Sequence, residues 1–322
     1  MSKNEFKFER GLTEKNFIDR LNGATWWQKI IKSPELFIGI RKNYLNVYHM
    51  GCSLVELRIK GGKLRGKTHY KYLISPQSES PYVTFMNGEI QDEMKFLGHS
   101  IRNYDAIDEI RKTSELHAGD EAKLVHRILE INRWNYLDTE IAFKWTETEE
   151  GNELNRQDRI DLALFDVDKE KGLGTIYFCE VKRENDDRLY STADAPEVVG
   201  QMRRYLKSLA KQRDNIITSY KEVCRNLASI YTGAPGVDME WIDRLNFFAE
   251  AKEDKLRIHN EIILLIVKET GKKEKHLAGN LVTGGMVENL EEEGEFKSGV
   301  VIGPDDADSF TLSRIKQELN KS

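Results

Sequence analysis

The chain has 322 residues, 39% hydrophobic and 32% charged, with a net charge of −5. That length suggests two compact units and is enough to bury a sizeable core without covalent staples. No apolar run approaches the ~20 residues of a membrane helix, no apolar leader core stands at the N-terminus, and three widely spaced cysteines make neither a disulfide framework nor a C-x-x-C metal site; the expectation is a reduced, cytoplasmic protein outside the membrane.

Charge is unevenly spread. Residues 1–112 carry 19 Lys+Arg against 13 Asp+Glu, whereas 284–322 carry 4 against 9. The acidic total therefore leaves room for a local basic surface.

In chain order, residues 1–34 read as polar helix, with Trp26 and Trp27 near its end. In S-L-V-E-L-R-I-K, Val55, Leu57 and Ile59 alternate with Glu56, Arg58 and Lys60. That period of two predicts a strand with one wet face. Gly61-Gly62 is a turn signal, and the Tyr-rich stretches on either side are strand-like, so a small antiparallel sheet is expected. Residues 75–112 hold loop signals, Ser75-Pro76 and Asn87-Gly88, and at most one short helix.

A second unit begins near Ser114. Leu124, Val125, Ile128, Leu129 and Ile131 stand at helical spacing. Three strand-like runs follow, at 139–145, 159–167 and 175–182, then a helix after Pro196, further helices over 211–258, and a buried strand in H-N-E-I-I-L-L-I-V-K. The order from 114 to 268 is helix, three strands, helix, insertion, strand. Residues 270–322 are Gly- and Glu-rich, and E-E-E-G-E is a solvated acidic run. The predicted division is an N-terminal α+β module over 1–112, a second domain over 113–269 with a helical insertion at 211–258, and an acidic tail over 270–322 that does not contribute to folding.

Three polar residues interrupt the apolar strands. Asp161 sits inside R-I-D-L-A-L-F, and Glu180 and Lys182 end I-Y-F-C-E-V-K. Alternation puts Glu180 and Lys182 on one face, with Cys179 and Val181 on the other. Charged groups in a core strand are costly to bury unpaired. An internal ion pair, or a strand end reaching water, would account for Glu180 and Lys182 by themselves. A hairpin at 166–174 would bring Asp161 beside them, and two carboxylates could then share a hard cation such as Mg²⁺. Lys182 could hold or deprotonate a water molecule there, a set of parts suited to phosphodiester hydrolysis.

The order Asp161, loop, Glu180-Val181-Lys182 resembles the PD-(D/E)xK nuclease superfamily, whose restriction-endonuclease-like core runs helix, three strands, helix, strand. Gln201-Met-Arg-Arg-Tyr205 resembles the Q-x-x-x-Y element of the branch that includes RecB-type nucleases. The resemblance covers about half the chain and rests on four motifs in this order, with Ile160-Asp161 in place of the Pro-Asp dipeptide and a large insertion at 211–258. The resemblance implies an α/β fold, metal ligands at Asp161, Glu180 and an acid on the first helix (Glu121, with Glu115 as fallback), and catalytic roles for Lys182, Gln201 and Tyr205. It implies Mg²⁺ or Mn²⁺ as cofactor, hydrolysis of nucleic acid, with DNA as the expected substrate, and a place in defence against phage or in DNA processing. Arg203 and Arg204 flank the site and could touch DNA. The alternatives are a catalytically inactive nucleic-acid-binding or assembly module of the same fold, and a P-loop NTPase. A protein partner or a homo-oligomer is open.

The NTPase alternative rests on Gly61–Thr68, which fits G-x-x-x-x-G-K-[ST] after a strand. A P-loop must open a helix, and the segment after Thr68 is short and strand-like. The same stretch reads as a basic hairpin, in which Lys63, Arg65, Lys67 and Lys71, with tyrosines nearby, could grip nucleic acid. The competing reading is a solvated sheet edge whose lysines prevent edge-to-edge pairing. The seven histidines show no zinc spacing, and no G-x-S-x-G elbow is present.

Overall fold

The computed structural model describes residues 7–73, 82–86, 89–90, 107–149, 152–189, 196–268, 297–304, 306 and 309–320. In chain order the elements are α1 (Phe17–Asn22), α2 (Thr25–Lys32), β1 (Phe37–Arg41), β2 (Tyr44–His49), β3 (Cys52–Lys60), β4 (Lys63–His69), β5 (Tyr82–Met86), β6 (Glu89–Ile90), α3 (Ile107–His117) and α4 (Asp120–Ile131). There follow β7 (Tyr136–Glu149), β8 (Asn152–Asp168), β9 (Leu173–Arg183), α5 (Glu197–Tyr231), α6 (Met239–Glu250), β10 (Leu256–Ile258), β11 (Glu261–Lys268), β12 (Lys297–Pro304) and α7 (Leu312–Leu319). The protein is mixed α/β, and no helix among the described residues is long and apolar enough to cross a membrane.

The chain forms two compact units, each discontinuous in sequence: residues 9–126 with 219–251, and residues 1–8 with 127–218 and 252–322. This division differs from the one read along the sequence. The first unit ends near His126 rather than 112. Of the expected insertion at 211–258, residues 219–251 cluster with the N-terminal unit, and the remainder with the other.

The unit of residues 9–126 and 219–251 holds a six-stranded antiparallel meander, β1 to β6 in order. Val55, Leu57 and Ile59 of β3 are buried while Arg58 and Lys60 are exposed, as period two requires. Gly61 (φ +60°) and Gly62 (φ +68°) make the two-residue turn to β4, and both need the left-handed region that a tight hairpin imposes. On α6, the Asp238 side chain caps the N-terminus by accepting from the Glu240 amide at 2.8 Å. Asn87-Gly88 and Ser75-Pro76, the expected loop signals, lie outside the described residues.

The other unit is built on a mixed sheet of order β12-β11-β9-β8-β7, with β10 also paired to β9. β7, β8 and β9 are antiparallel neighbours, whereas β11 runs parallel to both β9 and β12. A parallel strand flanked on both edges is buried on both faces, and Ile262 to Val267 are all buried. The elements after 114 come in the expected order: helix, three strands, helix, helical insertion, strand. The strands are longer than the apolar runs predicted.

The expected non-folding tail is corrected over the described residues of 297–320; residues 270–296 lie outside the described residues. β12 pairs with β11 over eight residues, and Val301, Phe310, Leu312, Ile315 and Leu319 are buried. Asn132 ties α7 down: its Nδ2 donates to the Phe310 carbonyl at 2.8 Å, and its Oδ1 accepts from the Leu312 amide at 2.7 Å. The acidic surroundings masked a short apolar strand and an amphipathic last helix.

Candidate active site

β8 and β9 join through a turn containing Gly172 (φ +62°) and pair in register from Asp168↔Leu173 to Leu162↔Cys179. One step beyond the last pair, Asp161 shares the face of Glu180, because directly opposed residues project together. The Asp161 Oδ2 accepts from the Val181 amide at 2.7 Å. Asp161 itself is half-buried, at the boundary with water.

Glu180 and Lys182 are sealed in. Their side chains are 2% and 1% exposed, and Lys182 Nζ donates to Glu180 Oε1 at 2.5 Å and to the Val181 carbonyl at 3.0 Å. The first half of α5 lies beside them. Gln201 Nε2 donates to Glu180 Oε1 at 2.8 Å and to the Tyr205 hydroxyl at 2.6 Å. The Tyr205 hydroxyl stands 3.1 Å from Glu180 Oε2 and also reaches the Arg159 carbonyl, so its one proton is shared between two acceptors. Gln201 and Tyr205 meet the same carboxylate because they are one helical turn apart. Burial, and then the Glu180 charge, push the Tyr205 phenol well above its ordinary pKa, so it stays a donor.

A buried ion pair is a poor source of stability, since desolvation offsets the attraction. Here both oxygens of Glu180 have charged or polar donors, which is the condition under which such a pair persists. The sites thus brought together are Asp161, Glu180, Lys182, Gln201 and Tyr205. Glu121 sits on the part of α4 that belongs to the other unit. Among the described residues, no group of three or more His, Cys, Asp or Glu side chains is placed to hold a metal. Of the three expected acids, Asp161 and Glu180 belong to one unit and share a face there. Two carboxylates on one face still suit a hard cation, which takes one or two from protein and fills its remaining positions with water and phosphate.

Three neighbours of the site escaped the sequence reading. Glu140 has φ +52° and stands where pairing steps from Thr139↔Leu162 to Ile141↔Ile160, opposite Asp161. A non-glycine residue in this region carries strain of about 1 kcal/mol, and such residues gather at functional sites. The neighbouring Thr139 Oγ1 donates to the Asp161 carbonyl at 2.7 Å. Asp138 is fully buried on β7, its Oδ1 accepting from the Thr139 amide at 2.9 Å. Only the interrupted alternation of L-D-T-E-I could have signalled them.

Arg204 pairs with Asp158 at 2.9 Å, and Arg203 is half-buried on the same helix. Cys179, expected on the far face, is buried, and burial with the Asp161 charge raises its thiol pKa, which leaves it inert as a nucleophile. In the other unit, Lys63, Arg65 and Lys67 lie on β4, while Lys71 sits on the following 3₁₀ turn with its Nζ 4.8 Å from the Tyr72 ring centre. Gly61–Thr68 is thus the turn and second strand of a hairpin. Among the described residues, a four-residue 3₁₀ turn (Tyr70–Leu73) and not an α-helix follows β4, so its backbone does not form the phosphate cradle of a P-loop. Comparison of the chain with family models, with curated proteins and with solved structures found no match.

Proposed function

We propose that this protein is a metal-dependent nuclease with a restriction-endonuclease-like core, hydrolysing phosphodiester bonds of nucleic acid. The observation that carries the reading is the convergence of Lys182, Gln201 and Tyr205 on Glu180, with Asp161 on the same face of the adjoining strand. Asp161 and Glu180 would hold Mg²⁺ or Mn²⁺. Bound there, the cation would activate water and offset the charge that gathers on the phosphate. Gln201 and Tyr205 orient the Glu180 carboxylate. Lys182, whose Nζ lies 2.5 Å from Glu180 Oε1, is the group able to exchange a proton with an attacking or leaving oxygen.

A second reading has an observation of its own. The Glu180–Lys182 pair is almost fully closed to solvent, which suits a chain that keeps this arrangement for binding or assembly without turnover.

The two are separated by incubating the full chain with labelled single- and double-stranded DNA and RNA, with Mg²⁺, Mn²⁺ or chelator. Cleavage abolished by chelator supports the nuclease. Lys182→Ala should lower turnover by about 10²- to 10⁴-fold, the usual range for a lost acid or base. Asp161→Ala and Glu180→Ala should abolish it, and Gln201→Ala should act more mildly. Asp161 is half-exposed, so its variant tests the chemistry without opening a buried charge. Full activity in any of the first three variants overturns the assignment; binding without cleavage under every condition selects the second reading.

A further inference from the structure

The β2–β5 part of the meander presents one face to solvent, and that face is charged in an unusual way. The register pairs Glu56↔Lys67, Arg58↔Arg65 and Lys60↔Lys63, so five cations and one acid share it. Glu56 is taken up by Arg58 and by Lys67, the latter at 3.2 Å. Among the described residues, Lys60, Lys63 and Arg65 have no carboxylate partner. Two directly opposed like-charge pairs, Arg58–Arg65 and Lys60–Lys63, destabilise a sheet.

Protection of a sheet edge does not explain Arg65 and Lys67, because β5 flanks β4 from Arg65 onward and leaves no edge there. Arg58, Lys60 and Lys63 stand on the end of the hairpin that projects past β2, which pairs β3 as far as Leu57, and past β5. The expected solvated-edge reading is therefore withdrawn for Arg65 and Lys67. What offsets such a ladder is an external polyanion.

The ladder is flanked by tyrosines. Tyr44 on β2 lies against Arg58, with the guanidinium carbon 5.2 Å from the ring centre. Tyr82 on β5 is 46% exposed and lies 5.0 Å from Lys67 Nζ. Cations repeating every second residue stand about 6.6 Å apart along a strand, a step comparable with that between phosphates of an extended chain. Ring faces beside such a ladder can stack only on unpaired bases, because paired bases are closed within a duplex.

We infer that this face binds single-stranded nucleic acid, with phosphates along β3 and β4 and bases on Tyr44 and Tyr82. The inference rests on the reading of the chain as acting on nucleic acid, and it names the form of the substrate.

The test uses the full chain with labelled dT20 and a duplex of equal length, in chelator so that nothing is cut. The wild type should prefer the single strand. The log of its affinity should fall with log salt at a slope of about −3.5 if five phosphates are neutralised, and K63Q/R65Q/K67Q should flatten this by about two units. Tyr82→Leu should weaken binding roughly tenfold, one lost base stack, and Tyr82→Phe should restore it. Circular dichroism confirms that each variant is folded. Equal or tighter duplex binding, an unchanged salt slope in the triple variant, or displacement of dT20 by polyglutamate as readily as by unlabelled strand overturns the proposal. Cleavage that depends on Asp161, with the strand bound as tightly by the triple variant as by wild type, would leave the nuclease standing without this surface. Single-strand binding as expected, with no cleavage of any substrate, would remove the nuclease and keep the surface.

Discussion

His49 shows how one buried residue ties stability to pH. It is 1% exposed on β2, its Nδ1 lies 2.8 Å from Ser114 Oγ on α3, and its ring meets the His126 ring edge-on at 4.7 Å. The Ser114 hydroxyl donates to the Arg111 carbonyl, so it accepts from His49 Nδ1. Burial, with the nearby Arg111 charge, lowers the His49 pKa to about 4. The folded protein therefore binds this proton less readily than the unfolded chain. Stability is fully present above pH 6.5 and is lost as pH falls from 6.5 to about 4, to the extent of about 3 kcal/mol for one such group. Urea midpoints measured between pH 7 and pH 4 should fall on acidification, and His49→Gln, which keeps a donor for Ser114 without titrating, should flatten the fall. Identical slopes would mean that His49 is not the titrating group.

Among the elements, β12 and α7 matter most for the sheet. Removing residues 297–322 would strip β11 of its eight-residue neighbour, leave Asn132 without its Phe310 and Leu312 partners, and break the 2.6 Å Lys316–Asp166 pair. Five buried apolar side chains would lose their packing, at about 1.5–3 kcal/mol each before relaxation of the unfolded reference. The truncated chain should melt at least about 7 °C lower, as about 5 kcal/mol does in a protein of this size. Unchanged melting would show that β11 holds its place on β9 alone. The sequence offered little warning: E-E-E-G-E and the Gly-rich approach concealed the strand K-S-G-V-V-I-G-P.

For the molecule as a whole, discontinuity is the governing fact. The chain passes between its two units at 8/9, 126/127, 218/219 and 251/252. A fragment covering 113–269, the boundaries that composition suggests, would lack β12, α7 and Phe8, which stacks on Phe143 at 5.2 Å. It would also carry residues 219–251 without the meander they cluster with. Such a fragment should give poorly dispersed amide NMR spectra while the full chain gives sharp ones. A well-dispersed spectrum from 113–269 would show that the core folds on local information.

Strand β3, the hairpin turn at Gly61-Gly62, the start of α5 after Pro196 and the run of β7, β8 and β9 were legible in the sequence, because alternation, paired glycines, proline and apolar runs act over a few residues. Asp161, Glu180 and Lys182 were legible for the same reason, as charge in an apolar strand, whereas Gln201 and Tyr205 stood out only through the resemblance to the Q-x-x-x-Y element. The tertiary structure alone decided which residues belong to which unit, that β12 completes the sheet, that β3 and β4 are interior strands, and that Glu140 takes a left-handed conformation opposite Asp161. Each of these depends on pairing between segments far apart in the chain, and the periodicity of a segment carries no record of its neighbour.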